Sequence, residues 1–584
     1  MPSASESPLN VASRLIAVAR SMPDAIAVVE PLGYGKRGLA PWRKPVWGTQ
    51  KHYRHGACPL FPFGKRRYRH VTFRELDDDS TRIACGLQQM GVTRGMRLAL
   101  LVPPGIDSIA LVFALLKAGA VIILIDPGMG RGNLLRCLSE AEPEGFVAIP
   151  LVHAVRVLLK GRFAKARFHV TVGRRWFWGG ATLDQLRASP VGGSDVPART
   201  RANDPAAVIF TTGSTGPPKG VLYSHGNFDA QVEEIRDFYG IRPGEIDLPC
   251  FPLFGLFNAA MGVTAVIPDM DPSRPARVNP AKIVEAVADW GVTQAFGSPA
   301  IWARVGPYCR EKGIRLATLR RVMSAGAPVP ARVLQEMKDC IHPEGDVHTP
   351  YGATESLPVA SIAASEVLAE TAARTSRGAG VCVGRRFPRI QWRVVRIVDG
   401  PIPTLAEAEE LPSGEIGELI VHGPVVTREY VTRREANALG KIVDGDRIWH
   451  RLGDAGYLDE QGRFWFCGRV AHRVLTEAGP MYAIPCEAIF NQHPWVRRSA
   501  LVGVGPAGRQ RPVIVVEPLP GRFPRTARDR QEFAAALGEV GQSAPLTAAI
   551  RQILFHPSFP VDIRHNAKIF REKLALWAAG AIIV

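Results

Sequence analysis

The chain has 584 residues, of which 46% are hydrophobic and 22% charged, and this composition excludes collagen, coiled-coil and disordered proteins. Its length predicts at least two or three domains. The net charge of +18 leaves nucleic acid, an anionic membrane surface and an acidic protein open as partners.

Two basic segments carry 17 of these 18 charges. Residues 31–69 contain ten Lys or Arg and residues 151–180 contain seven, and neither segment has an Asp or Glu. Aromatic residues interleave both, and no RNA- or DNA-binding motif accompanies them, so we expect no nucleic acid partner. The pattern suits an anionic membrane surface or a partner protein, with a solvated basic insertion as the third interpretation.

The predicted elements begin with a strand, a helix and a second strand. Apolar runs at Leu98–Val102 and Val121–Ile125 indicate buried strands, and Ser108–Leu116 between them has helical spacing. Such an arrangement predicts a parallel βαβ unit. The whole of Ser108–Ile125 is better explained as this buried helix and strand than as a membrane span.

The same pattern recurs twice further along the chain. A strand at Ala207–Phe210 precedes a glycine-rich loop and a helix from about Phe228, capped by Ser224 or Asn227. A second helix begins at Asn279-Pro280, where Asn is the N-cap and Pro the first helical residue, and runs to Trp290. Gln294–Phe296 is the strand predicted to follow it.

Short strands and turns predominate from about residue 380, and a mixed segment of roughly 110 residues begins near residue 470. We therefore predict an α/β fold: a large N-terminal domain (1–469) of layered α/β subdomains with a β-rich part at about 380–469. A small, mobile α+β lid domain (470–584) completes the chain.

The nine cysteines are widely spread and include no Cys-x-x-Cys pair, which favours a reducing cytoplasm over a disulfide framework or a cysteine zinc site. Residues 1–10 lack the basic start and apolar run of a signal peptide. We expect a cytoplasmic protein.

The most informative segment is the loop Thr211–Gly220, which directly follows a predicted strand. Its four hydroxyls, three glycines and one lysine can present N–H groups, O–H groups and a cation to phosphate oxygens. Pro217-Pro218 separates Gly216 from Lys219, so the spacing of a P-loop kinase or GTPase is not met. A flexible surface turn is the alternative interpretation of the loop alone.

This loop resembles the phosphate-binding signature of the adenylate-forming superfamily, which includes acyl-CoA synthetases, adenylation domains of peptide synthetases and luciferases. Further blocks follow in that family's order: Leu116–Val121 with Asp126-Pro127, Ser324–Pro328, Tyr351–Glu355, Gly414–Gly423, Arg451–Asp454, Gly468-Arg469 and Asn566–Arg571. The resemblance implies ATP and Mg²⁺ as cofactors and attack of a carboxylate on the α-phosphate of ATP.

The resemblance also assigns a role to individual residues around the triphosphate. The β- and γ-phosphates would be held by Lys219 and the loop residues Thr211, Thr212, Gly213, Ser214, Thr215 and Gly216. Thr354 would contact the α-phosphate, and Glu355 would offer Mg²⁺ the hard carboxylate oxygen that it prefers. A helix start at Thr354-Glu355, with the acid favoured by the helix dipole, is the structural alternative.

Around the nucleoside, the resemblance implies that adenine stacks on Tyr351 against a wall formed by Gly326, Ala327 and Pro328. Asp454 would bind the ribose hydroxyls, unless it is only a turn residue beside Gly453, and Arg469 would contact the nucleotide. Lys568 stands at the position of the catalytic lysine of the lid domain, although Ala567 replaces the usual glycine, and the start of an exposed basic helix is the alternative.

The hinge after Gly468-Arg469 reads Val470-Ala471-His472 and lacks the usual acidic or lysine residue, which leaves open whether the lid reaches a thioester-forming orientation. Gly255, between Phe254 and Phe257, replaces a histidine common in acyl-CoA synthetases. We predict these three residues in the acyl pocket, where Gly255 either makes room for a bulkier chain or reflects a packing change.

These details resemble one branch of the superfamily, the β-lactone synthetases of bacterial long-chain olefin biosynthesis. That branch implies ATP-dependent adenylation of a 2-alkyl-3-hydroxy fatty acid and then attack by its own 3-hydroxyl, which gives a β-lactone, AMP and pyrophosphate. It also implies a long-chain 3-hydroxy acid substrate and a complex with other olefin-pathway enzymes. A fatty acyl-CoA synthetase or fatty acyl-AMP ligase is the alternative, and His225 and His472 are the candidates for the general base.

Overall fold

The computed structural model describes residues 8–33, 66–192, 195–211, 216–251, 254–561 and 569–583. The first part of the chain alternates helices with strands. Its elements are α1 (Ser13–Ser21), β1 (Ile26–Gly33), β2 (Arg67–Thr72), α2 (Phe73–Gln89), β3 (Arg97–Leu101), α3 (Ile106–Lys117), β4 (Val121–Leu124), α4 (Arg131–Ala141), β5 (Gly145–Ala148), α5 (Pro150–Leu158), β6 (Phe168–Thr171), β7 (Ala181–Thr182) and α6 (Leu183–Arg187).

The second part repeats the alternation of strands and helices. Its elements are β8 (Pro205–Phe210), β9 (Gly220–Ser224), α7 (His225–Tyr239), β10 (Ile246–Pro249), α8 (Phe254–Met261), β11 (Thr264–Val266), α9 (Pro280–Trp290), β12 (Gln294–Gly297), α10 (Pro299–Lys312), β13 (Arg321–Ser324), α11 (Ala331–Cys340), β14 (Asp346–Ala353), β15 (Ser356–Ala363), α12 (Ala364–Glu366) and α13 (Ala372–Ser376).

The remaining elements are mostly strands up to residue 469 and mixed beyond it. They are β16 (Val381–Arg386), β17 (Gln391–Val395), β18 (Gly417–His422), α14 (Ala436–Gly440), β19 (Lys441–Asp444), β20 (Arg447–Leu458), β21 (Phe464–Arg469), β22 (Val474–Thr476), β23 (Gly479–Met481), α15 (Ala483–Phe490), β24 (Val496–Val504), β25 (Arg511–Pro518), α16 (Ala527–Gln542), β26 (Gln552–Phe555) and α17 (Arg571–Ile583).

A seven-stranded sheet has the order β7-β6-β5-β3-β4-β8-β9 and is parallel except for its last strand. A larger sheet runs β17-β18-β20-β21-β16-β15-β14-β13-β12-β10-β11-β1-β2, with β19 paired to β20. Its strands from β14 to β1 are parallel, and those from β14 to β17 are antiparallel. The mixed sheet β24-β25-β26 stands apart near the C-terminus. The predicted α/β class with a β-rich part is confirmed.

Local sequence signals predicted the position of several elements to within a few residues. β3 pairs in parallel with β4 across α3, as predicted. Asn279 caps α9 through the amide of Ala281, with Pro280 as its first residue. The helix predicted from about Phe228 begins three residues earlier, because Ser224 caps it in a reciprocal pair with Asn227. The glycine-rich loop connects β8 to the antiparallel strand β9, and no helix follows it directly.

A buried ion pair joins two strands of the β-rich part. Arg451 on β20 donates from Nε and Nη2 to Glu418 on β18, at 3.0 and 2.6 Å, and both side chains are buried. The same guanidinium donates to the carbonyls of Val398 and Gly400. Burial raises the pKa of Glu418, and Arg451 opposes that rise. The pair therefore fixes the position of β20 at Arg451, three residues before Asp454 on the same strand.

Replacing Arg451 with Met should lower the free energy of unfolding by about 3 kcal/mol, because Glu418 would be left buried without its cation. The double variant Arg451→Met/Glu418→Leu should recover most of the loss, since two apolar side chains remove the unpaired charge. Urea unfolding followed by tryptophan fluorescence measures both. Equal losses in the two variants would contradict this account.

Candidate active site

A cavity of about 1620 Å³ lies where the carboxyl ends of parallel strands from both large sheets meet. Its walls include residues that follow β3, β4, β8, β10, β12 and β13. Ligand sites in open α/β sheets lie at this edge, and most small-molecule pockets measure about 300–1,000 Å³. This cavity has room for more than a nucleotide.

One end of the cavity is charged, and Lys219 lies there. The loop after β8 is closed by two hydrogen bonds, from the Thr211 amide to the Lys219 carbonyl and from the Lys219 amide to Thr211 Oγ1, at 2.9 and 3.1 Å. Lys219 Nζ lies 3.3 Å from the Tyr430 hydroxyl. Thr211 and Lys219 line the cavity, whereas Gly216 is exposed and does not. Thr212, Gly213, Ser214 and Thr215 lie outside the described residues.

Thr354 and Glu355 form the tight turn of the hairpin between β14 and β15, so the alternative of a helix start is wrong. Both line the cavity. The Tyr223 hydroxyl donates to the Thr354 carbonyl. The amide and hydroxyl of Thr427 donate to the Glu355 carbonyl at 2.9 and 3.0 Å, which fixes the direction of the turn.

The Glu355 side chain presents a charged carboxylate in a buried place. The Tyr430 hydroxyl donates to its Oε1 at 2.6 Å, and the residue is only 8% exposed. Burial acts to raise the pKa of Glu355, but His450, the Tyr430 hydroxyl, Lys219 and Lys441 together hold it below its ordinary value. Among the described residues no cluster of three or more His, Cys, Asp or Glu could hold a metal alone. A single carboxylate still fits Mg²⁺, which is commonly bound by one or two carboxylates and substrate phosphates.

Sequence reasoning missed Tyr430, Lys441 and His450, which surround Glu355. Lys441 Nζ donates to the Thr427 carbonyl at 2.6 Å, and burial lowers its pKa to about 7. His450 Nδ1 lies 2.8 Å from the Gly440 carbonyl, and burial, with Lys441 beside it, lowers its pKa to about 3. No local pattern identifies these residues, because they reach Glu355 only through strand pairing and loop packing.

Tyr351, Asp454 and Arg469 form a second polar cluster. The Tyr351 hydroxyl donates to Asp454 Oδ2, and Arg469 Nη1 lies 3.0 Å from Asp454 Oδ1. Asp454 and Arg469 are direct partners in the β20–β21 register. Arg469 lines the cavity, whereas Tyr351 and Asp454 do not. Ribose hydroxyls that reached Asp454 would compete with Tyr351 for its oxygens.

The proposed adenine wall follows β13. Gly326 has a φ of +96°, a conformation that favours glycine, and it lines the cavity. Ala327 and Pro328 continue the same turn but do not line the cavity. Their role in binding adenine stays a prediction.

The other end of the cavity is apolar. Phe257 on α8 lines it, with its ring 6.4 Å from that of Phe228. Gly255 is buried and does not line the cavity, and a Cβ there would meet Pro249 in an ordinary contact at 3.4 Å, so its role in the acyl pocket stays a prediction. Phe254 begins α8, and its side chain lies outside the description.

Neither histidine considered as a general base lines the cavity. His225 is buried at the start of α7, where its Nδ1 accepts from the Val11 amide at 3.3 Å. His472 Nε2 lies 2.9 Å from Glu572 Oε1 and links the hinge to α17. Lys568 lies outside the described residues.

Comparison with known proteins assigns the chain to a family. The model of the family described as "AMP-binding enzyme" matches residues 50–431. The chain belongs to the AMP-binding enzyme family. It is thus an ATP-dependent, adenylate-forming ligase. Among the described residues, no helix has the length and apolar character needed to cross a membrane.

Individual members of the AMP-binding enzyme family cover nearly the whole chain. An olefin beta-lactone synthetase of Xanthomonas campestris is 44% identical over 98% of this chain and 97% of its own length. One of the same name from Stenotrophomonas maltophilia is 43% identical over 98% and 99%. The crystal structure of ATP-bound MatB from Rhodopseudomonas palustris shares the fold, with a TM-score of 0.73 and 21% identity over 98% of this chain and all of that one.

The low pKa of Lys441 predicts a pH dependence of stability. Between pH 7 and about pH 10 the unfolded chain would carry a proton on Lys441 that the folded chain lacks, so stability should rise with pH. Relative to the Lys441→Met variant, the wild type should gain up to about 1.4 kcal/mol per pH unit in this range. Denaturant unfolding at several pH values measures the difference. The stability of the Lys312→Met variant, changed at an exposed site, should depend on pH as that of the wild type does. If the stability of Lys441→Met also followed the wild type across this range, the low pKa of Lys441 would be refuted.

Proposed function

We propose that the protein is a β-lactone synthetase that adenylates a long-chain 2-alkyl-3-hydroxy acid with ATP and then closes the lactone ring. The observation that carries this proposal is its near full-length identity to the two olefin beta-lactone synthetases. The cavity supports it, since a charged end suited to phosphates continues into an apolar end suited to long alkyl chains.

In the first step, a carboxylate oxygen of the acid attacks the α-phosphorus of ATP. An acyl–phosphate bond forms, the bond between the α-phosphorus and the bridging oxygen breaks, and pyrophosphate leaves. Lys219 and Arg469 supply positive charge beside the transferring phosphoryl group, where catalysis depends mainly on positioning and electrostatic stabilisation. Glu355 would hold Mg²⁺, which when bound neutralises charge on the phosphate oxygens.

In the second step, the 3-hydroxyl oxygen attacks the acyl carbonyl carbon and its proton is released to solvent. The bond between that carbon and the phosphate oxygen breaks, and AMP leaves. The nucleophile and the electrophile belong to one molecule, so a well-oriented substrate has an effective molarity on the order of 10⁵ M or more. The cavity walls need only hold the chain in the folded-back conformation. No coenzyme A takes part.

We also propose a reducing cytoplasm as its location, which the eight described cysteines support because all are buried and free. The expected complex with other olefin-pathway enzymes stays a prediction. It rests partly on the basic segment 31–69, of which residues 34–65 lie outside the described part of the chain.

Incubation with ATP, Mg²⁺ and a synthetic 2-alkyl-3-hydroxy acid should yield AMP, pyrophosphate and a β-lactone in the absence of coenzyme A. Mass spectrometry of the products identifies them. A thioester that forms only when coenzyme A is present, with no lactone in either arm, would instead establish the fatty acyl-CoA synthetase alternative. Accumulation of a free acyl-adenylate would establish the acyl-AMP ligase.

Glu355→Gln and Lys568→Ala should each lower the adenylation rate by about 10²–10³-fold, because each removes charge that acts on the transferring phosphoryl group. Pyrophosphate release measures the rate. Glu415→Gln, a change at an exposed acid, is the matched control and should leave the rate unchanged. An unaffected Lys568→Ala variant would refute the role of that lysine.

A further inference from the structure

The helix α5 exposes an apolar face. Leu151, Val155 and Leu158 recur at i, i+4 and i+7, which places them on one side of the helix, and they are 66%, 42% and 83% exposed. His153 lies on the opposite side, buried, with its Nε2 2.9 Å from the Val170 carbonyl. The helix is therefore anchored by its polar residue and presents aliphatic side chains outwards.

A loop after β6 adds two exposed aromatic rings beside this helix. Trp178 is buried, donates from Nε1 to Thr171 Oγ1 at 2.9 Å and stacks on His153 with ring centroids 5.6 Å apart. It supports Trp176 and Phe177, whose rings lie 5.3 and 5.2 Å from its own. These two are 52% and 75% exposed. Five of the sixteen exposed large apolar side chains in the described chain thus lie between residues 151 and 177.

Basic side chains accompany this surface, and acids are absent from residues 151–180. Lys160 and Arg162, in a short 3-10 turn directly after α5, and Arg174 and Arg175, directly before Trp176, are exposed. Lys165 is partly neutralised by Glu142 at 2.8 Å. Exposed aliphatic and aromatic groups edged by cations are the composition of helices that lie in the interface of a bilayer.

The same helix forms part of the cavity wall. Leu151, Val152 and Val155 line the cavity together with Leu138 and Phe163 from the core beneath. An apolar branch of the cavity therefore reaches the surface at α5, remote along the chain from the phosphate end at Lys219.

We propose that α5 and the loop 173–178 form a docking surface for a bilayer that contains anionic phospholipid. The apolar side chains enter the acyl boundary, and the exposed residues Lys160, Arg162, Arg174 and Arg175 contact lipid phosphates. A second copy of this chain is a poorer occupant, because a two-fold symmetric contact would bring the basic edge against itself. Entry of the long-chain acid from the bilayer into the cavity also follows, and this part alone rests on the proposed function.

Co-sedimentation of the full chain with vesicles tests the docking surface. Binding to phosphatidylcholine vesicles with about one quarter phosphatidylglycerol should exceed binding to pure phosphatidylcholine by about tenfold and should weaken with salt. Leu158→Glu and the double variant Trp176→Ser/Phe177→Ser should each lower it by about tenfold. Leu576→Glu, a matched change at a residue 78% exposed on α17, should not.

The basic edge has its own pair of variants. Lys160→Glu/Arg162→Glu should reduce binding to the anionic vesicles to the level seen with neutral ones, whereas Arg525→Glu/Arg530→Glu, at exposed sites elsewhere, should change it little. Circular dichroism establishes that the variants are folded.

The proposal would be overturned if all the α5 and loop variants bound vesicles as strongly as the wild type does. It would also be overturned if these substitutions broke up a dimer or a protein complex but left vesicle binding unchanged. Adenylation of a short, water-soluble 3-hydroxy acid should stay unchanged in these variants. If the wild type formed no lactone, the proposed function would be refuted but the vesicle result would still hold. Failure of the proposed function and failure of the docking surface are therefore distinguishable.

Discussion

The buried carboxylate of Glu355 imposes the main constraint on this structure. A charge in such a place is tolerated only with hydrogen bonds and opposite charges close by. Those partners come from three separate parts of the chain: Lys219 beside the seven-stranded sheet, Tyr430 in the loop after β18, and Lys441 at the start of β19. The Leu222 amide donates to the Glu429 carbonyl, and the Gly220 amide donates to Thr432 Oγ1. The two large sheets are thereby joined at the point where the carboxylate needs them.

This junction also orients the cavity. The strand ends of both sheets place polar turns at one end of it, while the helices that cover the sheets leave apolar side chains at the other. A substrate with a carboxylate and long alkyl chains can then lie along one continuous path. The region beyond residue 469 contacts the cavity wall through Arg473, whose Nη2 lies 2.7 Å from Asp399 Oδ1.

Much of the local structure could be predicted because short-range signals dominate there. Apolar runs located β3, β4, β8 and β12, and the Asn279-Pro280 pair located the start of α9 to the residue. The start of α7 was misplaced because both Ser224 and Asn227 are good caps, and only the reciprocal hydrogen bonds between them show which one ends the loop. The strand β9 was missed because its five residues are defined by pairing with β8 rather than by their own pattern.

The sequence by itself determined the family and the order of its motifs, and it predicted Lys219, Thr354, Glu355, Asp454 and Arg469 as site residues, since chemistry-bearing blocks are contiguous in the chain. Only the tertiary structure decided that Tyr430, Lys441 and His450 surround Glu355, and that Asp454 is held by Tyr351 as well as Arg469. It likewise showed that the second basic segment begins on α5, whose exposed apolar side chains border the cavity. The physical reason is that contacts between distant segments follow from packing and strand pairing, which local spacing does not record.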